Sequence, residues 1–456
     1  MEFLSAPFVI CFILTFVLYY AKSDKRWQHA VLLLSSSVFI GYYHIVYLVI
    51  AWCVTFFTFW AGRVLHKYLN TSKSVWVLWA SISILVGFWL IARYFSPLFP
   101  LGISFYTFQA LSYLIGIYWE EDPERDFWDF SLYMMLFMKF LSGPIERSYD
   151  MLPQLKTAKT FDYDKVTKGL KMIAWGTFLK LVIADRIGPA LNIVFDNVQD
   201  ATNIQMMVAT LLYPIQLYAD FAGYTLMALG LGRMMGFELK PNFNRPFISQ
   251  STGELWRRWH MTLSFWVRDY VFSPLNIFFR SIGKWGIAFS LLITFVAIGV
   301  WHGAGWTFVL YGLFQGIIVI YEMMAASFRN KMKEFVGNGV WSVITILRTY
   351  FLFALSLLFF RVSRLSDVWY MYRYMFRPES FSIKELRLGM SDYDWIVFGI
   401  AVLLMFLMEY INSKHDILEQ CVRMKPLTRW SCYIGLALII FLFGAFGVEN
   451  FIYIQF

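Results

Sequence analysis

The sequence predicts an all-α, polytopic membrane protein, and three observations carry that prediction. Of 456 residues, 59% are hydrophobic and only 15% are charged, whereas a soluble globular chain carries about 25% charged residues. Apolar runs of membrane-crossing length recur from one end of the sequence to the other. The aromatic load is high, with 47 Phe, 27 Tyr and 19 Trp, and Trp and Tyr favour the membrane–water interface. A soluble protein of this length has to cover its surface with charge. This chain has too little charge to do so.

A helix needs about 20 mostly apolar residues to cross roughly 30 Å of hydrocarbon. Residues 3–20 form the first candidate. They follow Glu2 rather than a basic stretch, and no small-residue cleavage site appears before Lys22, so they read as a retained span and not a cleaved signal peptide. Residues 30–62 hold no charge and are too many for one helix; Gly41-Tyr42-Tyr43-His44 is where they would divide. Residues 75–91 follow, then 95–119, entered through Pro97 and Pro100. The run 128–141 is shorter, carries Lys139 and ends at Ser142-Gly143-Pro144, a pattern that suggests a half-helix or re-entrant piece. Residues 171–183 and 204–231 come next. Residues 285–321 are uncharged and must hold two helices, broken near Gly303-Ala304-Gly305. Residues 343–360, 395–408 and 431–448 complete a count of about eleven spans, to within two.

The formal charge of +9 sits mostly in short loops between these runs, which assigns it to membrane topology and anionic headgroups rather than to nucleic acid. Lys22, Lys25 and Arg26 lie in one loop, and Arg63, Lys67 and Lys73 in another. If residues 30–62 form a hairpin, both loops fall on one side, the cytoplasmic side by the positive-inside rule. Cys11, Cys53, Cys421 and Cys432 are scattered and show no metal-binding spacing. The polar insertions 120–127, 148–168 and 361–394 read as solvated loops, the last of them also suited to interfacial helices or a docking partner. No internal repeat, low-complexity tract or soluble domain is evident.

Between Lys240 and Arg280 the chain changes character. Lys240-Pro241-Asn242-Phe243-Asn244-Arg245-Pro246 cannot be a helix interior, because two prolines bracket it. Ser251 or Thr252 then caps a helix. Along it Trp256, Trp259, Leu263, Trp266 and Tyr270 recur at spacings of three and four, one aromatic and apolar stripe through residue 270. Glu254, Arg257, Arg258, Met261, Ser264 and Arg268 occupy the other side, with Glu254–Arg258 an i,i+4 pair. His260 falls at the boundary. Such a helix can lie in the interface without doing chemistry, or dip in where protein or water covers its polar face.

His302 sits inside the uncharged run, in Gly299-Val300-Trp301-His302-Gly303-Ala304-Gly305-Trp306. Ionisable groups within spans are costly and usually face an interior cavity. The glycines around it allow a substrate chain or a second backbone to come close. A neutral imidazole there could accept the proton of a hydroxyl attacking a thioester; a buried histidine bonded to a helix carbonyl is the alternative. His29, His66 and His415 lie beside charged loops and read as solvated, and His44 as a structural residue at the hairpin turn. No histidine pair has metal-ligand spacing. Asp220 is a second intramembrane charge, read either as a structural partner of Arg233 or a tyrosine hydroxyl, or as a proton-linked carboxylate. Ser104 and Thr107 read as helix-bonding hydroxyls.

These residues resemble the membrane-bound O-acyltransferase (MBOAT) family in its bacterial polysaccharide-acylating branch. The resemblance runs through Pro100-Leu101-Gly102-Ile103-Ser104-Phe105-Tyr106-Thr107-Phe108-Gln109, Ser142-Gly143-Pro144-Ile145-Glu146-Arg147 and Asp220-Phe221-Ala222-Gly223-Tyr224 with Gly230-Leu231-Gly232-Arg233. It continues in Asn242-Phe243-Asn244-Arg245-Pro246-Phe247, in Trp256-Arg257-Arg258-Trp259-His260 through Arg268-Asp269-Tyr270, in Trp301-His302-Gly303, and in the closing Phe451-Ile452-Tyr453-Ile454-Gln455-Phe456. The alginate-acetylating type is the nearer match, and the teichoic acid D-alanylating type shares many of the motifs.

The resemblance implies one integral membrane domain over residues 1–456, a ring of helices around a thin centre, with a tunnel formed by a funnel from each face. It implies that His302 is the catalytic histidine and that His260 supports it. Asn244, Arg257, Arg258, Trp259, Ser264, Arg268, Asp269, Trp301 and Asp220 become candidates for contact with substrate. It further implies a thioester donor, acetyl-CoA or an acyl-carrier protein, as substrate rather than bound cofactor, a polysaccharide acceptor, and an extracytoplasmic SGNH-type partner. The cell membrane is the expected location. D-alanyl transfer from a carrier protein is one alternative. A transporter using Asp220, Arg257 and His302 as a polar relay and a non-catalytic scaffold are the others; composition fits both, and the motif set argues against them.

Overall fold

The computed structural model describes residues 1–95, 99–100, 102–141, 143–377 and 383–447. Pro97, Leu101, Ser142, residues 378–382 of the expected polar insertion, Val448 and the closing motif from Phe451 to Phe456 lie outside the described residues. Among the described residues there are helices and connecting loops and no β-strand.

Helix α1 (Ala6–Tyr20) starts where the Ser5 hydroxyl accepts from the Phe8 amide, and α2 (Lys25–Tyr43) where Asp24 accepts from the Trp27 amide at 2.8 Å. His44 is extended; it ends α2 and caps α3 (Ile45–Lys67), its Nδ1 accepting from the Val46 amide at 3.2 Å. The long apolar run therefore divides at the expected cluster, and Lys25 and Lys67 fall at the same end of the hairpin. Next are α4 (Lys73–Tyr94) and α5 (Ile103–Tyr118). Helix α5 begins at Gly102, whose φ of 71° and 2.3 Å clearance from a would-be Cβ to the Phe140 carbonyl oxygen admit only glycine without strain. The run expected as a half-helix is two pieces, α6 (Phe127–Met135) and α7 (Phe137–Phe140), separated by Leu136.

The chain continues through α8 (Ser148–Leu155), α9 (Tyr163–Phe178), a π-helical turn over Leu179–Ala184, α10 (Asp185–Asp196) and the 32-residue α11 (Asn203–Met234). Two short helices follow, α12 (Thr252–Arg258) and α13 (Met261–Val267), then a π-helical turn over Arg268–Phe272 and α14 (Ser273–Phe278). The second uncharged run divides into α15 (Lys284–His302) and α16 (Trp306–Met324), broken at Gly303 as expected. The remainder is α17 (Ala326–Val336), α18 (Asn338–Arg361), α19 (Leu365–Tyr374), α20 (Ile383–Leu386), α21 (Asp392–Lys414), α22 (Ile417–Arg423) and α23 (Pro426–Phe443). Seven of these, α3, α4, α15, α16, α18, α21 and α23, are each long and apolar enough to cross a membrane. The other expected spans fall on α1, of only 15 residues, on α2 and α5, on α6 with α7, on α9 with the π-helical turn, and on α11.

The helices group into two compact units, Met1–Ile173 with Tyr224–Pro241, and Ala174–Gly223 with Asn242–Phe456. The first has a charged interior. Lys139 is fully buried; its Nζ donates to Gln109 Oε1 at 2.8 Å and to the Tyr133 carbonyl. The buried Glu146 carboxylate accepts from the Lys240 amide at 2.6 Å. Asp129 accepts from Lys25 at 2.8 Å and lies 3.2 Å from His29 Nδ1. His29 is thus buried against a carboxylate rather than solvated, because α6 brings Asp129 over the first turns of α2.

Candidate active site

Both candidate histidines belong to the second unit. His302 is the last residue of α15 and is 2% exposed. Helices α15 and α16 meet backbone to backbone. A Cβ at Gly299 would stand 2.2 Å from the Phe308 carbonyl oxygen, and one at Gly312 would stand 2.2 Å from that of Phe295. A Cβ at Gly303 would strike the Phe308 ring at 2.0 Å. The glycines expected to admit a substrate or a second backbone here admit the backbone of α16 and the Phe308 ring. This fixes the ring of His302 among Tyr311 of α16, at 5.9 Å between centroids, Phe360 of α18, at 5.0 Å, and Trp301, at 4.6 Å.

The expected continuous helix from Trp256 to Tyr270 is broken in the structure. Helix α12 stops at Arg258, His260 takes the left-handed conformation with φ 44° and ψ 52°, and α13 starts at Met261. The cause is the preceding loop. The Arg258 carbonyl, which a helix would offer to Thr262, accepts from the Asn244 amide at 2.9 Å. The Met261 amide donates to the Asn242 carbonyl at 2.8 Å. Asn242 Oδ1 also accepts from the Thr262 hydroxyl at 2.6 Å. Two loop residues thus take over helical hydrogen-bonding groups at one turn, and the Thr262 hydroxyl adds a further tie, against a left-handed cost of about 1–2 kcal/mol for a residue with a Cβ.

The stripe itself packs as its spacing predicts. Trp256, Trp259, Leu263 and Trp266 are buried, and Tyr270 is half-buried. Ser251 caps α12, its hydroxyl accepting from the Glu254 amide at 3.0 Å, and Glu254 pairs with Arg258 at 2.9 Å. His260, expected at the stripe's edge, is 1% exposed because the left-handed turn swings it inward, against Phe221 at 4.8 Å and Trp301 at 6.1 Å. Trp301 therefore touches both histidines.

The remaining candidates separate into distinct surroundings. Trp259 packs among Phe243, Phe247, Tyr218 and Phe353. The Ser264 hydroxyl donates to the Trp259 carbonyl at 3.1 Å. Arg257 and Arg268 are exposed; Arg268 pairs with Asp269 at 2.7 Å, and Asn244 lies at the surface with its carbonyl accepting from Arg258 at 3.2 Å. Asp220, read from the sequence as a structural partner of Arg233 or a tyrosine hydroxyl or as a proton-linked carboxylate, meets Lys180 in the structure. The lysine Nζ lies 2.7 Å from both Asp220 Oδ1 and Asp185 Oδ1. The π-helical turn carries Lys180 into the interior.

Sequence reasoning missed three further groups. The Glu322 carboxylate accepts from the Thr252 amide at 2.9 Å and pairs with Arg348 at 2.6 Å, which places an anion at the N-terminus of α12. Gln315 accepts from the Trp256 indole at 3.0 Å and donates to Ser356 at 2.7 Å, tying α12, α16 and α18 together. Glu409 accepts from the Tyr218 hydroxyl. Each is a polar residue within or at the end of an apolar run, which is the signal that would have found them.

A family model described as MBOAT, membrane-bound O-acyltransferase family, matches residues 32–363. The chain belongs to this family. The acyltransferase is 32% identical over 419 residues to a probable alginate O-acetylase AlgI of Azotobacter vinelandii, with 85% of this chain and 80% of that protein covered. It is 31% identical over 416 residues to a probable alginate O-acetylase AlgI of Pseudomonas aeruginosa, covering 85% and 77%. With a teichoic acid D-alanyltransferase of Bacillus subtilis it shares 30% identity over 364 residues, covering 72% and 89%. It is a multi-pass membrane enzyme of the O-acetyltransferase type.

Proposed function

We propose that this acyltransferase moves an acetyl group from a cytoplasmic thioester, acetyl-CoA or an acyl-carrier protein, to hydroxyls of an extracytoplasmic polysaccharide, with His302 as general base. The carrying observation is the burial of His302 at the break between α15 and α16, with Trp301 in contact with both His302 and His260. The similarity to alginate O-acetylases supports a polysaccharide acceptor. An SGNH-type partner outside the membrane would receive the acyl group and complete the transfer, with the cell membrane as the site of action.

In this reading the acceptor hydroxyl loses its proton to His302 as its oxygen attacks the thioester carbonyl. The tetrahedral oxyanion is stabilised by a nearby donor, for which His260 is the candidate; one such donor is worth up to about 3–4 kcal/mol. Collapse expels the thiolate, which takes the proton from His302, so the cycle closes with one ester, one thiol and no net proton. Asp220, held by Lys180, supports the shape of the site rather than the proton transfer. Arg257, Arg258, Arg268 and Asp269 are candidates for contact with the donor or acceptor at the edge of the site, and Asn244, Trp259 and Ser264 shape the loop that holds His260.

Purified enzyme with radiolabelled acetyl-CoA tests the proposal. His302→Ala should lower thioester turnover by about 10²–10⁴-fold with expression and folding retained. Wild-type turnover by that variant would refute the role of His302. Transfer from a D-alanyl carrier protein, with acetyl-CoA inert, would favour the second reading that the B. subtilis relative supports.

A further inference from the structure

Helix α21 lies beyond the residues matched by the family model, and only 17% of its membrane-crossing window is buried. Its buried residues, Phe398, Ala401 and Met405, are spaced by three and four and form one narrow stripe. Glu409 is the next position on that stripe. A carboxylate on such a helix is costly unless it has a partner. Its partner is the hydroxyl of the buried Tyr218 on α11. Arg245, itself left-handed with φ 49°, is within electrostatic reach of the same carboxylate. One turn earlier, Phe406 packs on Phe247 with ring centroids 6.1 Å apart. Tyr218 in turn packs against Phe243, Phe247 and Trp259 at 5.3, 5.1 and 6.1 Å. Trp259 immediately precedes His260.

We propose that Glu409 is a positioning residue for acyl transfer: its carboxylate orients the Tyr218 phenol, and so holds the 242–260 segment in the shape that presents His260. The effect on transfer rests on the reading of His260 given above; the latch itself does not. Leucine at 409 leaves a buried phenol hydroxyl without its acceptor. Glutamine keeps an acceptor oxygen and removes the charge opposite Arg245.

Hydrogen–deuterium exchange of the purified full-length protein reads the latch without any acyl donor. Glu409→Leu should speed exchange across residues 242–262 by about tenfold, and Glu409→Gln should restore most of the protection. The double variant Glu409→Leu/Tyr218→Phe should exchange no faster than Glu409→Leu alone, because one contact is being removed twice. Turnover of labelled acetyl-CoA by the same proteins should show kcat reduced about tenfold in Glu409→Leu, with the donor KM unchanged and glutamine restoring the rate. Unchanged exchange over 242–262, or an increase shared equally by α15 and α16, overturns the latch. Faster local exchange with wild-type kcat overturns its part in transfer. A wild-type enzyme inert toward acetyl-CoA counts against the proposed donor, and the exchange result still decides the latch.

Discussion

The Met261 amide donates to the Asn242 carbonyl at 2.8 Å, and that one bond lies directly after the residue carrying the second histidine. With the Asn244 amide on the Arg258 carbonyl two residues before His260, the loop grips the chain on both sides of a left-handed residue. Side chains then differ in what they cost at position 260. Glycine and asparagine accept the conformation, while valine, branched at Cβ, should lower stability by about 1–3 kcal/mol. Thermal unfolding in detergent checks this, and equal midpoints for His260→Gly and His260→Val would refute it. Both folded variants, Gly and Asn, should show reduced acyl transfer.

The closeness of α15 and α16 gives a second expectation. Gly299→Ala places a methyl 2.2 Å from a carbonyl oxygen that cannot rotate away. The helices must separate, at a cost of about 1–3 kcal/mol, and His302 moves with the end of α15. Activity should fall in that variant even when it is assayed well below its unfolding temperature. Gly339→Ala, whose methyl meets open space in the first turn of α18, should lower neither stability nor rate.

Lys180 stands between two carboxylates, so its removal should be worse than the removal of either partner. Lys180→Met leaves Asp185 and Asp220 close together without the ammonium between them, and breaking such a buried pair costs about 3–5 kcal/mol. Adding Asp220→Asn should recover part of the loss, as read by yield and unfolding temperature. If Asp220→Asn alone folds as wild type and is inactive, Asp220 acts in the chemistry and not in the scaffold.

Asp126 caps α6, accepting from the Trp128 amide at 2.8 Å and the Asp129 amide at 3.2 Å. Burial pushes its carboxyl up, but the two amides and the charges of Lys25 and His29 outweigh this, and the group sits below the usual carboxylate range. The unfolded chain therefore binds this proton more readily than the folded one. Its stabilisation is complete above the ordinary value of about 4 and fades as pH falls through the lower folded value. Asp126→Ala should cost about 1 kcal/mol at neutral pH, seen as faster amide exchange in the first turn of α6. The difference should shrink in acid.

What the sequence makes legible is what periodicity and punctuation can encode. The breaks at His44 and Gly303 were readable because an apolar run had outgrown one helix, and the Trp256, Trp259, Leu263 and Trp266 stripe because burial follows a spacing of three and four. The turn at His260 was not readable. Nothing between Trp256 and Tyr270 disfavours a helix locally; the helix is broken by Asn242 and Asn244, partners in the loop between Pro241 and Pro246. Lys180 and Glu409 were overlooked for a related reason. Each is a single charge in a long apolar segment, and only the fold shows which opposite group it meets.

The glycine contacts between α15 and α16 also bear on how the enzyme responds to the lipid around it. A bilayer that thickens or thins is accommodated by helix tilt, at a fraction of a kcal/mol per ångström of mismatch. Two helices locked at Gly299 and Gly312 tilt as one body, and the ring of His302 keeps Tyr311 beside it whatever the angle. Sensitivity to lipid composition should then enter through α21 and α23, whose sides are largely bare, and not through the pair that carries the histidine.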